Sequence, residues 1–404
     1  MGLNRLSNAP KGPFLCCQTG DGAHVRAITV AISKLGRESV STPRCLTVPL
    51  LIILGLVTLY SGTPAAVADI KRAASGKPDL SGTYDTGTLT PAQRPAWLGS
   101  TEHLYPFVAR FLNWSAAIAA DLAATGFSEG DRGAPPEGGD GPNAGGAGRV
   151  GGYNFFWIDP GERLGTVNGK VPTSIIYDPP NGRIPAAIGG RETDLQSIYA
   201  SFAYENTGTA TWLAQPGPGP FDGPESLAPS ERCLISFAPT VPTIPSIYNN
   251  YKRIVQTDTH VMILQEMVHD ARIVRMNAAH SPPGNRSWLG DSIGYWEGDV
   301  LVVETKNFLP ISGLPGADEH LHVVERFSRQ ADGNLYYDFT VTDETVWDTP
   351  WRGRYIWQSK PDAHVYEYAC HEGNYAMGNI LRGARLLESE WQGKPASADG
   401  SSGD

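Results

Sequence analysis

The most restrictive feature of the chain is its second half, where short runs of alternating apolar and polar residues follow one another from Arg253 to Lys360. Such alternation is typical of strands with one buried face. Two-residue turns at Gly298-Asp299 and Asp332-Gly333 indicate antiparallel hairpins. The run HVYEYAC, ending at Cys370, is predicted as a further strand. The sequence therefore predicts a mainly β fold, an antiparallel meander that forms a lipocalin-like barrel or a two-sheet sandwich with a few peripheral helices.

The composition agrees with one globular β-rich domain. The chain has 404 residues, of which 41% are hydrophobic and 18% charged, and its 46 Gly and 32 Pro favour short strands and long loops. We predict a single domain over 69–404. It carries a helical and Gly-rich insertion at about 99–152 and a C-terminal helix at about 374–388.

The N-terminal 68 residues are predicted to be a leader and signal peptide. Arg44 precedes an apolar run over 45–60, and Ala66-Val67-Ala68 fits an A-x-A cleavage site. An uncleaved anchor is the alternative. Cleavage near Ala68 predicts a periplasmic or secreted protein without stable membrane insertion. It removes six of 32 basic and two of 42 acidic side chains, and the resulting net charge of −14 argues against nucleic acid as a partner.

The cysteine content points to one disulfide. Three of the five cysteines belong to the predicted leader, which leaves Cys233 and Cys370. An exported protein with two cysteines is expected to pair them.

Three stretches carry a resemblance to a known family: GDSIGYWEGDVLVVETKNF, LHVVERFSR and YEYACHEGNYAMGNILRGAR. In them the chain resembles a widespread family of exported bacterial proteins, and the similarity extends from PDLSGTYD to the C-terminal helix. The resemblance implies no reaction, since no activity is attached to the family as a whole. It does imply that Arg232-Cys233 accompanies Cys370.

The stretch THVMILQEMVHDARIVRM places charged residues on an apolar face. As one strand, it puts Glu266, Asp270 and Arg272 on the same face as Leu264 and Val274. Because buried charges must be paired, one interpretation is an internal ion pair between these acids and Arg272. The other is a catalytic pocket in which Glu266 or Asp270 is a general base with a pKa altered by burial.

The run EHLHVVERF puts His320, His322 and Arg326 on one strand face. Two histidines at this spacing lack a companion ligand motif, so we predict no metal site. His322 is instead expected to act as an acid or base across the barrel from Glu266 or Asp270, with Arg326 in the same site.

The motif CHEGN supplies two further candidates, His371 and Glu372, where the last predicted strand meets the C-terminal helix. The chain contains no nucleophile elbow, no phosphate-binding loop and no dinucleotide fingerprint, so we predict no cofactor.

Aromatic residues crowd the barrel-forming half of the chain. If the barrel keeps a cavity, these residues would line it and bind an apolar or aromatic small molecule. The predicted ligand-binding set is Trp288, Tyr295, Trp347, Trp351 and Tyr366.

Together these features predict an exported, cofactor-free enzyme that performs acid/base chemistry, an elimination, isomerisation or hydrolysis, on a hydrophobic or aromatic small molecule. The first alternative is a lipocalin-like binding protein without catalysis. The second is a structural envelope protein whose barrel is filled by side chains. The sequence does not identify the ligand or the oligomeric state.

Overall fold

The fold is known from a computed structural model. It describes 70–126, 159–190, 207–236, 238–246, 250–310, 314 and 316–391, without the side chains of 119–126 and 190. All of these residues belong to one compact unit, Pro64–Asp404. The predicted signal peptide and the Gly-rich part of the insertion, 127–152, lie outside the described residues.

Twelve strands account for most of the regular structure in the described residues. In chain order they are β1 (Gly82–Asp85), β2 (His103–Leu104), β3 (Val171–Pro172), β4 (Ile176–Asp178), β5 (Tyr251–Gln256), β6 (His260–Gln265), β7 (Ala271–Met276), β8 (Asp291–Glu297), β9 (Val300–Lys306), β10 (His322–Arg329), β11 (Leu335–Thr342) and β12 (Trp351–Ser359).

Nine of these strands form a closed barrel. The sheet order is β1-β5-β6-β7-β8-β9-β10-β11-β12, and β12 pairs back to β1, while β4 adds a tenth strand beside β12. Every neighbouring pair in the ring is antiparallel except β7 and β8, which are parallel. A ring with an odd number of strands cannot be antiparallel throughout, so the 277–290 crossover supplies the parallel pair. The predicted barrel is confirmed.

The two hairpins predicted from the turn residues are also present. β8 and β9 are joined at Gly298-Asp299, and β10 and β11 at a turn that includes Asp332-Gly333. Both glycines have positive φ, 61° and 88°. These turns therefore set the register that sends alternate residues of β8–β11 into the barrel.

The inward residues of β10, β11 and β12 are mostly large aromatic side chains. Tyr337 lies at their centre, with its ring centroid 4.9 Å from Trp357, 5.0 Å from Phe327 and 5.5 Å from Tyr355. All four side chains are buried. Rings at these distances fill this part of the interior with side-chain contacts.

Three α-helices accompany the barrel in the described residues: α1 (Pro106–Gly126), α2 (Cys370–Gly373) and α3 (Tyr375–Glu390). α1 lies within the predicted helical insertion and begins only at Pro106, because His103 and Leu104 before it pair with β3. α3 agrees with the predicted C-terminal helix, and the Asn374 side chain caps it by accepting from the Met377 N–H at 3.2 Å. Among the described residues, no helix has the length and apolarity to cross a membrane.

One predicted strand is wrong, and the condition that 259–276 runs as a single strand is not met. A 3₁₀ turn at Met267–His269 folds this stretch into the antiparallel pair β6–β7. The run HVYEYAC forms no strand, and Cys370 begins the helical turn α2 instead. The closed ring explains the second case: β12 already pairs with β11 on one side and with β1 and β4 on the other, which leaves no edge for another strand.

Candidate active site at the mouth of the barrel

The turn between β6 and β7, Glu266–Asp270, forms one end of the barrel. Within it Val268 and His269 have left-handed φ values of 59° and 46°. The turn is closed by the Gln265 N–H donating to the Asp270 carbonyl at 2.8 Å, and the Glu266 N–H donates to the Tyr251 carbonyl of β5 at 3.1 Å. A β-branched residue such as valine rarely adopts positive φ, so the backbone here is strained.

Packing against the C-terminal segment holds this turn in place. Met267 and Val268 are buried in a cluster with Cys233 and Ala238, and Tyr368 and Cys370 pack against that cluster. We call the turn Glu266–Asp270 together with the segment Tyr366–Asn374 the mouth. Burial of Val268 opposes the unfavourable backbone conformation, because release of the turn would expose its side chain.

The predicted disulfide between Cys233 and Cys370 is present, and it ties the C-terminal part of the mouth to the segment around Cys233. Their Cα atoms are 5.8 Å apart, and 137 positions separate them in sequence. Cys233 also has positive φ, 57°. Apart from asparagines, the described non-glycine residues with positive φ are Cys233, Val268 and His269. Among the described residues, the positive φ values of residues other than Gly and Asn are thus concentrated in and beside the mouth.

His269 presents a defined tautomer at the mouth. Its Nδ1 lies 3.1 Å from the backbone carbonyl of Tyr368. A carbonyl oxygen only accepts, so Nδ1 must carry the proton, which leaves the lone pair on Nε2 when the ring is neutral. The His269 side chain is exposed, and its ring centroid lies 6.4 Å from that of His371. Two imidazoles, one from the turn and one from the C-terminal segment, therefore lie at one surface.

Two carboxyl groups flank His269 in the turn. Asp270 is 8% exposed and accepts from the Ser236 N–H at 3.1 Å. Burial raises the pKa of its carboxyl to about 6, although Ser236, His269 and Lys252 act in the opposite direction. Glu266 is 9% exposed, and its Oε1 lies 3.5 Å from the Tyr366 N–H. A carboxyl with a pKa near 6 can both release and accept a proton near neutral pH.

Lys252 is a buried amine on β5, and the charges of these two acids act on it. It is an inward residue of β5, 4% exposed, with Tyr84 and Gln265 as its cross-strand neighbours. Burial lowers the pKa of its ammonium group to about 8, despite the opposing charges of Glu266, Asp85 and Asp270. Burial thus moves the pKa values of an acid and an amine toward each other at the mouth, a pattern that clusters at functional sites.

An ion pair is buried farther inside the barrel. Arg272 binds Glu325 of β10 through both terminal nitrogens, with Nη2 3.0 Å from Oε1, and both side chains are buried. The Tyr337 hydroxyl donates to the same Oε1 at 2.7 Å and accepts from the Thr243 N–H at 3.0 Å. An internal ion pair was predicted, but its acid is Glu325 rather than Glu266 or Asp270, because the β6–β7 turn carries those two acids to the rim.

The histidine predicted to face these acids lies elsewhere. His322 is on the outer wall, with its Nε2 3.0 Å from Glu304 Oε1. It does not reach across the barrel to Glu266 or Asp270, because its neighbours Val323 and Glu325, not His322 itself, point inward. Arg326 is also outside and pairs with Glu297. His320 binds Asp318, with 2.9 Å between Nδ1 and Oδ1.

No group of three His, Cys, Asp or Glu side chains that could hold a metal ion is found among the residues that the structure describes. The two histidines considered for such a site have different partners, since His320 binds Asp318 and His322 lies beside Glu304.

The structure disperses the predicted aromatic set. Trp347 and Trp351 are buried in the core. Tyr295 lies on the outer face of β8, and Trp288 is half-buried in the crossover before it. Tyr366 alone of this set lies at the mouth, with 72% of its surface exposed. The mouth therefore brings together five predicted residues: Glu266, Asp270, Tyr366, His371 and Glu372.

Three residues of this region were missed in the sequence. Lys252 shares its strand face with Ile254, and Glu325 shares its face with Val323 and Phe327, so each carried a signal of burial in its strand pattern. His269 carried none, because the turn that presents it contains no Gly, Asn or Pro. Comparison of the chain with protein-family models, with curated proteins and with solved structures finds no match.

Proposed function

We propose that the protein is an enzyme that uses the side chains of the mouth for acid/base chemistry on a small apolar or aromatic molecule. The observation that carries this proposal is that His269 and Asp270 are adjacent residues of the β6–β7 turn. His269 sits on strained backbone with Nδ1 bound to a carbonyl. The adjacent Asp270 has a pKa of about 6. The strained backbone and the fixed tautomer belong to His269, and the raised pKa belongs to the adjacent Asp270. Both features favour proton transfer at this turn.

The roles follow from exposure and protonation. His269 Nε2 accepts a proton from the substrate or from a water molecule, since the ring is exposed and Nδ1 is already bound. Asp270, in its protonated form, returns a proton to the departing or rearranging group. The charge around these two groups is set by their neighbours at the mouth, His371, Glu266 and Glu372. This arrangement suits an elimination, an isomerisation or a hydrolysis.

We place the substrate at the mouth rather than deep in the barrel. Deep in the barrel, the buried rings of Phe327, Tyr337, Tyr355 and Trp357 contact one another. At the mouth, in contrast, Tyr366 is exposed and Tyr368 is half-buried. These rings provide an apolar surface beside the titratable groups.

We further propose that the protein is exported after cleavage near Ala68 and belongs to the family of exported bacterial proteins that it resembles. The Cys233–Cys370 disulfide supports export, because disulfides persist in oxidising compartments.

The test is a time course with small molecules that co-purify with the protein. The small molecules are extracted from the purified protein. The extract is then incubated with the wild-type protein, with D270N or with H269Q, and its components are followed by mass spectrometry. We expect a component that the wild type converts at least tenfold faster than either variant. D258N and H260Q, which change exposed residues at the opposite end of β6, are matched controls and should convert it at the wild-type rate.

Equal conversion by D270N and the wild type would exclude Asp270 from the chemistry. A component that binds stoichiometrically and is recovered unchanged from all proteins would identify a binding protein instead.

A further inference from the structure

A second group of titratable side chains lies on the outer wall of the barrel and has no part in the chemistry proposed for the mouth. Strands β7–β10 and the 277–290 crossover contribute its members. Their side chains keep exposed fractions between 15% and 43%, so the group lies at the surface. We call it the outer-wall cluster, and it consists of Arg275, His280, Asp291, Glu304, Lys306 and His322.

Asp291 fixes the ring of His280 in this cluster. Its Oδ2 lies 2.9 Å from His280 Nδ1, and the same carboxylate accepts from Arg275 Nη2 at 2.7 Å and from the Ser281 N–H at 2.9 Å. Although burial raises the pKa of Asp291, these hydrogen bonds lower it below its ordinary value. An ionised carboxylate only accepts, so Nδ1 carries the proton and a neutral ring keeps its lone pair on Nε2.

The free nitrogen of His280 faces a second carboxylate. Nε2 lies 3.8 Å from Glu304 Oε1. Within the described part of the chain, this nitrogen is buried and has no hydrogen-bond partner. Two acceptors cannot bond to each other, and the distance is too long for a hydrogen bond. A water molecule can donate one hydrogen to each of the two atoms, so this pair is suited to hold one.

Glu304 is shared with two further groups of the cluster. Its Oε1 lies 3.0 Å from His322 Nε2 and also next to Lys306 Nζ. Burial lowers the pKa of His322, and the charge of Lys306 acts in the same direction, so this ring is neutral at pH 7. Lys306 is 43% exposed and is the most exposed member of the cluster. The cluster therefore combines an oriented imidazole with a positive charge that solvent can reach.

We propose that the outer-wall cluster is a second catalytic site, which hydrolyses small esters with His280 as the general base. A water molecule held between His280 Nε2 and Glu304 Oε1 attacks the carbonyl carbon of the ester, and one of its protons moves to Nε2. The Lys306 ammonium group stabilises the negative charge that develops on the carbonyl oxygen. The bond from carbon to the alcohol oxygen then breaks, and this oxygen takes the proton from Nε2. The products are an alcohol and a carboxylic acid.

The nucleophile in this reaction is water rather than a side chain of the cluster. Ser281 is the hydroxyl residue next to His280, but its Oγ lies 3.2 Å from Asp291 Oδ1. The hydroxyl group is therefore bound to the carboxylate that holds Nδ1, and not to Nε2. Asp291 is a positioning residue, because it acts on the substrate only through the ring of His280.

The test is hydrolysis of para-nitrophenyl acetate by the full-length protein at pH 7, followed by the absorbance of para-nitrophenolate. We expect the wild type to hydrolyse this ester at least tenfold faster than H280Q. H320Q is the matched control and should keep the wild-type rate. Its imidazole also has Nδ1 2.9 Å from an aspartate oxygen, that of Asp318, but it is 55% exposed and lies outside the cluster.

Two outcomes would overturn the proposal. If H280Q hydrolyses the ester at the wild-type rate, or if H320Q loses as much activity as H280Q, the cluster is not a catalytic site. If the loss occurs in H269Q and not in H280Q, the activity belongs to the mouth. In each of these cases the acid/base function proposed for the mouth stands, because no residue of the mouth takes part in the reaction proposed here.

A measurement on the wild type keeps the proposal testable if H280Q does not fold. NMR of the ring nitrogens in protein labelled at histidine should show His280 with Nδ1 protonated and Nε2 unprotonated at pH 7. D291N should distribute the proton over both nitrogens and lower the rate of hydrolysis about tenfold, which a merely structural role of Asp291 would not predict. Protons on both nitrogens in the wild type would make His280 an imidazolium held between two carboxylates, and the proposal would be wrong.

Discussion

The interior of the barrel and its mouth use buried charge in opposite ways. Inside, Arg272 and Glu325 face each other with bidentate geometry, and Tyr337 adds a hydrogen bond to the same carboxylate. At the mouth, burial raises the pKa of Asp270 to about 6 at the end of a turn with strained backbone, and it lowers the pKa of Lys252 on the neighbouring part of β5 to about 8. The first arrangement fixes charges in place, while the second makes protons easy to move.

The two regions also differ in what holds them. The interior of β10–β12 is held by contacts among aromatic rings on neighbouring strands. The mouth is held by a small apolar cluster and a disulfide to a segment without strand pairing. We therefore expect substitutions inside to affect global stability, and substitutions at the mouth to affect protonation and local opening.

The largest effect should come from E325Q. It removes the negative charge opposite Arg272 and leaves a buried guanidinium uncompensated, so the free energy of unfolding should fall by about 3–5 kcal/mol. Chemical denaturation measures this change. E297Q is the matched control, because Glu297 pairs with Arg326 at an exposed site, and it should change stability by less than about 1 kcal/mol. Equal effects of the two substitutions would show that burial does not distinguish the pairs.

C370S should have the next largest effect. Loss of the disulfide should lower the free energy of unfolding by about 2–5 kcal/mol, since the bond closes a long loop in the unfolded chain. In native-state hydrogen exchange, protection should fall first in 361–374 and in the turn Glu266–Asp270, while β10–β12 keep theirs at early times. The double variant C233S/C370S should lose no more stability than C370S, and a clearly larger loss would mean that Cys233 contributes separately.

D270N should remove the pH dependence of stability that Asp270 causes. The pKa of Asp270 rises from 3.8 to about 6 on folding. The folded protein therefore binds more protons than the unfolded chain between pH 4 and 6, and this group makes stability fall as the pH rises through that window. At pH 7 the substitution should increase the free energy of unfolding by about 3 kcal/mol, and at pH 4 most of this gain should be lost. Denaturant titrations across this range measure both, with D258N as control.

A D270N protein that is less stable than the wild type at pH 7 would contradict this assignment. It would mean that the ionised carboxylate of Asp270 stabilises the mouth, as Glu325 stabilises the interior.

H269N should have the smallest effect on stability. Asparagine tolerates the left-handed conformation of this position, so the free energy of unfolding should change by less than about 0.5 kcal/mol. Conversion of the substrate should nevertheless fall at least tenfold, because the amide cannot accept the proton. H260N should change neither quantity. A loss of more than about 2 kcal/mol in H269N would give His269 a structural role instead.

Several elements were predictable because their signals are local. The hairpins at Gly298-Asp299 and Asp332-Gly333 follow from turn residues between alternating runs, and the succession of such runs predicted a barrel or a two-sheet sandwich. The pairing of Cys233 with Cys370 followed from the count of cysteines in the predicted mature chain. Glu266, Asp270, His371 and Glu372 were predicted as site residues, and they do lie at one end of the barrel.

Other features depend on contacts between distant parts of the chain. No Gly, Asn or Pro in Glu266–Asp270 marks a turn, so only the packing of Met267 and Val268 against Cys233 and Cys370 explains why this stretch turns. That turn moves Asp270 away from Arg272. The identity of the partner of Arg272 then depends on how many strands close the ring, which places β10 across from β7.

The sequence by itself determined that the chain is a β-meander with two defined hairpins, because side-chain alternation and turn conformations are properties of neighbouring residues. The tertiary structure alone decided which face of each strand meets which other strand. It therefore decided that Glu325 neutralises Arg272, that the charges of Glu266, Asp85 and Asp270 act on Lys252, and that His269 is exposed with a fixed tautomer. These are relations between residues far apart in sequence, and burial against distant partners sets both their geometry and their pKa values.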